Sequence, residues 1–173
     1  MCQLEIPDAV IEAVAGRVTG RFVLNAAPAR PISESVLRRC DPVIVNEHEL
    51  ADLTGLSVDG PDSAIAAARE LRARGAIGVV ATLGAAGSIW LDADGHGHQD
   101  SPRVEVVDST GAGDQFVGAL AARLATGDEL ASAVRWATAA ASLSVQATGT
   151  VDSYPAADAI SAVVGHLTDP AEL

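Results

Sequence analysis

The stretch that decides the fold is Val104-Glu-Val-Val-Asp-Ser-Thr-Gly-Ala-Gly-Asp-Gln-Phe-Val-Gly-Ala-Leu120. Its first residues are β-rich as far as Asp108, and small residues and glycines follow as far as Gly113. A helix is predicted from Asp114, because apolar residues recur on one helical face at Phe116, Val117, Leu120 and Leu124. A strand, a glycine turn and a helix in this order direct free backbone N–H groups and the positive end of the helix dipole to one point. The stretch therefore predicts an anion-binding site.

Asp114 distinguishes this turn from a simple phosphate cradle, which would avoid a carboxylate. An acidic residue at the start of a helix is also a common N-cap. The turn alone leaves both interpretations open, a functional carboxylate or a helix cap. Gly111 and Gly113 would let a phosphate approach the backbone, because neither residue carries a Cβ.

The composition limits the classes of function. The chain has 173 residues, of which 49% are hydrophobic, so we expect one globular domain with a substantial core. A net charge of −12 without a basic cluster argues against a nucleic-acid partner. All 11 basic residues are arginine, which excludes lysine Schiff-base chemistry and a P-loop lysine.

The sequence shows no sign of export or membrane insertion. Cys2 and Cys40 are isolated, and the first residues carry no basic region. No apolar run reaches the roughly 18 residues that a membrane helix needs. We therefore expect a cytoplasmic protein without a membrane partner.

Buried strands alternate with helices along the chain. Apolar runs predict strands at residues 21–25, 42–46 and 77–83. A hairpin is predicted between residues 88–91 and 104–107, around a polar tip that contains the turn Asp94-Gly95. Besides the helix from Asp114, helices are predicted at residues 8–18, 33–39, 47–54, 62–74, 130–145 and 156–167. This order predicts an α/β fold of three layers, with helices on both faces of a mostly parallel sheet.

Polar residues stand where these strands end. They are Asn25, Asn46, Thr82 with Gly84, and Asp108. The carboxyl ends of parallel strands meet at one edge of the sheet, where α/β folds bind their ligands. Each residue alone could be a turn or capping residue, but their convergence predicts a binding site.

The histidines do not indicate a site. His96 and His98 fall in the polar hairpin tip and are expected to be solvated, although their spacing is that of a weak metal pair. His48 lies between glutamates and is expected to be exposed, and His166 is expected on a surface helix.

Three motifs resemble those of the ribokinase-like (PfkB) carbohydrate kinases. Asp108-Ser-Thr-Gly-Ala-Gly-Asp114 resembles the C-terminal signature of that family. Asn46-Glu-His-Glu49 resembles its Asn-x-x-Glu motif, and Thr82-Leu-Gly-Ala-Ala-Gly87 is similar to its nucleotide-binding strand end. The resemblance covers essentially all 173 residues and is closest to the ribokinase branch. It matches the C-terminal, ATP-binding portion of such a kinase, without the family's N-terminal sugar-binding stretch and β-sheet lid.

The resemblance implies transfer of the γ-phosphate of ATP to a sugar hydroxyl, with ribose as the expected sugar. Asp114 would accept the proton of the hydroxyl, and the backbone of Gly111, Ala112 and Gly113 would form the anion hole with it. Glu5 would contact the sugar together with Asp114. The nucleotide residues implied by the family are Asn46, Thr82, Gly84, Ala85, Gly87 and Thr138. For Asn46 a strand-end hydrogen bond, and for residues 84–87 a plain turn, remain alternatives.

The same resemblance implies metal ions. Glu49 would help to order Mg²⁺, a hard cation that prefers oxygen ligands. A monovalent cation, expected to be K⁺, would be bound at Asp108, Thr110, Ser144, Ala147, Gly149 and Ser153. The alternative function is a nucleotide-binding module or interaction subunit without turnover. Such a module would associate with a second copy of itself or with the N-terminal portion of the kinase family.

Overall fold

A computed structural model describes residues 1–167 and the backbone of residues 171–172. The strands are β1 (Cys2–Gln3), β2 (Phe22–Asn25), β3 (Cys40–Asn46), β4 (Val79–Thr82), β5 (Ser88–Leu91), β6 (His96–Gln99) and β7 (Ala171–Glu172). The helices are α1 (Asp8–Arg17), α2 (Glu34–Leu37), α3 (Glu47–Thr54), α4 (Pro61–Ala73), α5 (Ala112–Ala125), α6 (Leu130–Ser144) and α7 (Ala157–Val164).

The strands form one sheet whose spatial order follows the chain, from β1 to β7. Strands β1 to β4 are parallel, and β5, β6 and β7 continue the sheet in antiparallel pairs. The predicted α/β class is confirmed, and the sheet is mixed. Its parallel part contains the strands that end in Asn25, Asn46 and Thr82.

Both faces of the sheet are buried because successive side chains of a strand point to opposite sides. On one face, Leu24, Val43 and Val79 join the core that also contains residues of α1, α2 and α4. On the other face, Ile44 and Val80 pack in the core that contains α5 and α6. The three-layer arrangement follows from strands that are apolar on both sides.

Helix α5 buries the face that the sequence predicts. Phe116, Val117, Leu120 and Leu124 are all at most 7% exposed and lie in the core beneath α5 and α6. Fully buried alanines of α6, such as Ala133 and Ala137, pack in that core, and small side chains allow close helix packing. Helix α7 covers the outer side of α6, where Ile160 packs with Ala140.

The prediction that residues 104–107 form the second strand of the hairpin is wrong. That segment has no regular structure, and Val106 and Val107 are 63% and 58% exposed. The strand that pairs with β5 is β6, because the chain reverses directly after β5 in a turn closed by the hydrogen bond from Asp92 N to Gly95 O at 2.9 Å. Strand propensity depends on the tertiary context, and the edge of β5 that the predicted strand would need is occupied by β6.

The first helix begins at the predicted residue. Asp8 is the first residue of α1, and Pro7 is the N-cap. Val10 is 46% exposed, whereas Ile11 and Ala15 are the buried residues of the helix. Among residues 1–167 and 171–172, no helix has the length and apolar character that crossing a bilayer would require.

Candidate active site

The ends of the parallel strands meet as predicted. Asn46 is paired with Thr82, and two residues earlier on β3 Ile44 is paired with Asn25. Glu5 follows β1, whose Gln3 is paired with Asn25, and it is exposed. These polar residues therefore line the C-terminal edge of the parallel strands.

Helix α6 brings the glycine-rich stretch to the same edge. Thr82 is paired with Ser88, whose Oγ lies 2.7 Å from Oγ1 of Thr138 on α6. From Thr138 the helix continues to Ser144, a rise of about 9 Å, and its other end packs over the sheet. The next carbonyl, of Val145, accepts the N–H groups of Val107 and Asp108 at 2.8 and 3.1 Å.

The carboxylate of Asp108 ties two loops together. Its Oδ1 accepts the N–H of Thr110 at 2.9 Å, and its Oδ2 accepts the N–H of Gly149 at 3.1 Å. Hydrogen bonds from Thr110, followed by the one from Gly149, hold the pKa of Asp108 below its usual value. The residue expected at a strand end thus acts as a charged link between loops.

The start of α5 is built as an anion site. Gly111 is the N-cap of α5, with φ +80° and no side-chain hydrogen bond to the helix. A Cβ added to Gly111 would lie 3.4 Å from Thr150. Ala112 N donates to Ser109 O at 3.2 Å. Within the part of the chain that the structure describes, the N–H groups of Gly113 and Asp114 have no acceptor. The N–H groups of Gly113 and Asp114, which both belong to the predicted anion hole, are therefore free.

Asp114 is not a helix cap. It lies in the first turn of α5, after Gly111, Ala112 and Gly113, and it is exposed. Its carboxylate makes no hydrogen bond within the described residues, so nothing in the fold requires an acid there beyond the favourable interaction with the helix dipole. An exposed carboxylate beside free N–H groups is available to a substrate.

Asn46 and Glu49 form a capping box at the start of α3. Glu49 N donates to Oδ1 of Asn46 at 2.8 Å, and Asn46 N donates to Oε2 of Glu49 at 2.8 Å. Burial raises the pKa of Glu49, and the hydrogen bond from Asn46 opposes this shift. The strand-end hydrogen bond anticipated for Asn46 is present, and the box leaves its Nδ2 and the Oε1 of Glu49 for other partners.

Residues 84–87 form a tight turn between β4 and β5. Gly84–Ala86 is a single 3-10 turn, and Leu83 N donates to Gly87 O at 2.8 Å. Gly87 has φ +89°, and a Cβ on it would lie 2.0 Å from the carbonyl oxygen of Gln99. The turn anticipated as an alternative is present, beside Thr82 and with Gly84 and Ala85 exposed.

Thr138 has a different environment from the one predicted. Its side chain is 4% exposed, and Oγ1 contacts Ser88 and donates to Val134 O at 2.9 Å. The threonine therefore fixes α6 against β5 and presents no surface to a nucleotide. Its sequence position gave no sign of this, since the contact with Ser88 joins distant segments.

The residues expected around a monovalent cation lie in connected loops. Ala147 N donates to Ser144 O at 3.4 Å, and Gly149 N donates to Oδ2 of Asp108. Ser153 Oγ donates to Thr150 O at 2.7 Å. Among the described residues, no group of three or more His, Cys, Asp or Glu side chains could hold a metal ion by itself. A cation here would depend on backbone oxygens or on a bound phosphate.

A comparison with protein families matches residues 8–157 to the model of the pfkB family carbohydrate kinases. The chain belongs to this family. It is 40% identical over 163 residues to a ribokinase of Mus musculus, a match that covers 90% of this chain and 50% of that protein. It is 39% identical over 134 residues to a deoxyribokinase of Salmonella typhi, covering 77% of this chain and 44% of that protein.

The fold of this pfkB family chain is similar to that of solved ribokinases. The structure of Arabidopsis thaliana ribokinase complexed with ribose and ATP superposes with a TM-score of 0.87 at 32% identity, covering 94% of this chain and 54% of that one. A ribokinase of Thermotoga maritima superposes with a TM-score of 0.84 at 31% identity. The chain spans about half the length of the relatives described here.

The sequence did not reveal every residue that shapes the site of this pfkB family chain. His98 was expected in a solvated tip, yet its side chain is 11% exposed and its Nε2 lies 2.5 Å from Ala86 O in the turn after β4. Tyr154 lies with its hydroxyl 3.5 Å from Gly111 O. Both contacts join segments far apart in the chain, so no local pattern could indicate them.

Proposed function

We propose that the protein containing this chain transfers the γ-phosphate of ATP to a hydroxyl group of a sugar, and that ribose is its first candidate substrate. The observation that carries the proposal is the start of α5, where the exposed carboxylate of Asp114 adjoins the free N–H groups of Gly113 and Asp114. Phosphoryl transfer needs positioning, neutralisation of charge and an acceptor for the proton of the attacking hydroxyl.

Asp114 is proposed as that acceptor. A carboxylate is a weak base, but a loose transition state requires orientation more than basicity. The N–H groups of Gly113 and Asp114, with the backbone of Gly111 and Ala112, would hold the oxygens of the transferred phosphoryl group. The fixed backbone donors need no reorganisation as charge develops.

The nucleotide is proposed to lie along the strand ends and the turn after β4. Nδ2 of Asn46 would face the phosphates while its Oδ1 remains in the capping box. Glu49 would help to order Mg²⁺ at the phosphates, which fits a cation that is usually held by one or two carboxylates together with substrate oxygens. The remaining proposed nucleotide contacts are Thr82, Gly84, Ala85 and Gly87.

A monovalent cation site beside the anion hole is also proposed, with K⁺ as the ion. The carboxylate of Asp108 already binds Gly149, and this contact brings the two loops together. An ion there would stabilise the loop that precedes α5, and it would supply positive charge near the phosphate. The proposed ligands are Asp108, Thr110, Ser144, Ala147, Gly149 and Ser153.

The sugar is proposed from the relatives, which are named ribokinase and deoxyribokinase. Glu5 is exposed at the same edge of the sheet and could accept a hydrogen bond from a sugar hydroxyl. The test is ADP release by the natural protein that contains this chain, with Mg·ATP and a panel of ribose, 2-deoxyribose, fructose and adenosine. The proposal expects ribose-dependent release, and no sugar-dependent release with any member of the panel would contradict it.

A further inference from the structure

His98 supports the turn after β4 from a neighbouring strand. The residue lies on β6, and its Nε2 is 2.5 Å from the carbonyl oxygen of Ala86, the last residue of the 3-10 turn. Only 11% of its side chain is exposed. Because a carbonyl oxygen can only accept a hydrogen bond, Nε2 must carry the proton in this contact. The imidazole therefore donates to the turn from outside it.

The other ring nitrogen of His98 faces a carboxylate. Nδ1 lies 3.9 Å from Oδ1 of Asp100, whose side chain is 77% exposed. Asp100 is two residues further along the same segment, so it does not bridge to another element. The ring thus has one contact with the turn and one with its own strand.

The turn needs outside support. A single turn of 3-10 helix has poor hydrogen-bond geometry and little stability of its own. Its internal bonds run from Ala86 N to Leu83 O at 3.0 Å and from Gly87 N to Gly84 O at 3.1 Å, and the bond from Leu83 N to Gly87 O at 2.8 Å joins its two ends. Gly87 is also pressed against the backbone of residues 99–101, as the 2.0 Å distance of an added Cβ from Gln99 O shows. Both outside contacts come from β6 and the residues after it.

We propose that His98 is a positioning residue for the nucleotide, which holds the backbone of Gly84–Ala86 in the conformation that binds ATP. This inference rests on the proposed function, because it takes the turn as part of the nucleotide site. His98 does not itself contact the ligand in this proposal, and it acts through the carbonyl of Ala86. Loss of the hydrogen bond would leave the sheet intact and loosen the turn.

The test compares substitutions of His98 with a matched control on the same strand. His98→Leu removes the donor, whereas His98→Gln keeps an N–H donor on a side chain of similar reach. His96 is the control, because it lies two residues away on the same face of β6 and its Nε2 contacts Nη2 of Arg69 at 3.1 Å rather than the turn. ADP affinity by calorimetry, amide hydrogen exchange at residues 84–87 and melting temperature are measured on the natural protein containing this chain.

We expect His98→Leu to weaken ADP binding about five- to tenfold and to speed amide exchange in the turn, as the loss of one net hydrogen bond would. His98→Gln should keep ADP affinity and amide exchange in the turn close to those of the unsubstituted protein. His96→Leu should change neither ADP affinity nor amide exchange. Unchanged ADP affinity in His98→Leu would overturn the inference while leaving the proposed function intact. Equal loss in His98→Leu and His96→Leu would also overturn it, as a general effect on β6. No ADP binding by the unsubstituted protein would contradict the proposed function, and the inference with it.

Discussion

At the scale of single residues, Gly87 carries the strictest steric demand in the turn after β4. Its φ is +89°, and a Cβ would lie 2.0 Å from Gln99 O. Gly84 is its natural control, because its φ is +55° and no atom lies within 4 Å of an added Cβ. Gly84→Ala should cost about 1–3 kcal/mol through backbone strain alone.

Gly87→Ala should cost more than Gly84→Ala, because the backbone of β6 must move as well. Chemical denaturation of the two variants measures the difference in the free energy of unfolding. Equal costs would mean that the hairpin yields easily and that the turn is not held by β6.

Cys40 gives a prediction for alkaline pH. The thiol is fully buried and donates to Val36 O at 3.3 Å, and burial raises its pKa to about 12. In the unfolded chain a thiol titrates near ~8.5, so between these values the unfolded state loses a proton that the folded state keeps. The stabilising contribution of the protonated thiol is complete below the pKa of the thiol in the unfolded chain. Above that pKa, the free energy of unfolding falls by up to ~1.4 kcal/mol per pH unit, until the pH reaches the pKa of the folded state.

Cys40→Ala should therefore flatten the decline of unfolding free energy between about pH 8 and about pH 10. Cys2→Ala is the comparison, since Cys2 is only half-buried and contributes to the raised pKa of Cys40 less than burial does. Urea denaturation at the two pH values measures the slopes. Parallel slopes for the unsubstituted protein and Cys40→Ala would show that the Cys40 thiol does not stay protonated in the folded state.

At the scale of elements, the capping box of α3 joins a structural role to the proposed phosphate site. Asn46→Asp keeps an oxygen that accepts the N–H of Glu49, and Asp caps helices about as well as Asn. It also places a negative charge where the nucleotide phosphates are proposed to lie. We expect stability close to that of the unsubstituted protein and ATP binding weakened at least about tenfold.

Asn46→Ala is the control for the cap, because it removes the capping oxygen without adding charge. It should lower the free energy of unfolding by about 1 kcal/mol. Calorimetry with ATP and denaturation of both variants separate the two roles. Undiminished ATP affinity in Asn46→Asp would remove Asn46 from the phosphate site.

Arginines satisfy carbonyl groups at the ends of several elements. Arg39 donates to Ala15 O in the last turn of α1 at 3.1 Å and to Val18 O at its C-cap at 2.6 Å. Arg74 donates to Leu53 O at 2.8 Å near the end of α3, and Arg135 donates to Leu167 O at 2.6 Å after α7. Arg72 likewise donates to Ala76 O at 3.2 Å. Arginine side chains therefore hold the ends of helices to neighbouring segments.

The elements that could be predicted from the sequence are those with a strong local pattern. The apolar face of α5, the length of α6 and the end of α3 at Gly55 with φ +72° follow from helical spacing and glycine chemistry. Strand β6 could not be predicted, since His-Gly-His-Gln has low strand propensity and pairs only because β5 offers an edge. The contacts of Thr138 and His98 could not be predicted either, because each depends on a partner distant in the chain.

At the scale of the whole molecule, the chain spans about half the length of its relatives, whereas the phosphate side of the proposed site lies within it. Substrate positioning can contribute ~7–11 kcal/mol to catalysis, so incomplete sugar contacts should nearly abolish turnover. We expect the 173-residue chain by itself to bind Mg·ATP or ADP and to phosphorylate ribose very poorly. Calorimetry without any nucleotide binding, or sugar-dependent ADP release at the rate of a complete kinase, would contradict this expectation.

The central claim is that Asp114 is the base, and Asp114→Asn in the natural protein containing this chain tests it most directly. Asn keeps the volume, and among the described residues the carboxylate has no hydrogen bond that would be lost. We predict that kcat falls about 10²–10⁴-fold, the usual contribution of a general base, with an unchanged melting temperature. ATP affinity should be unchanged or slightly higher, because a negative charge near the γ-phosphate is removed. A kcat close to that of the unsubstituted protein, measured with ATP affinity and melting temperature on the same preparation, would contradict the assignment of Asp114 as the base.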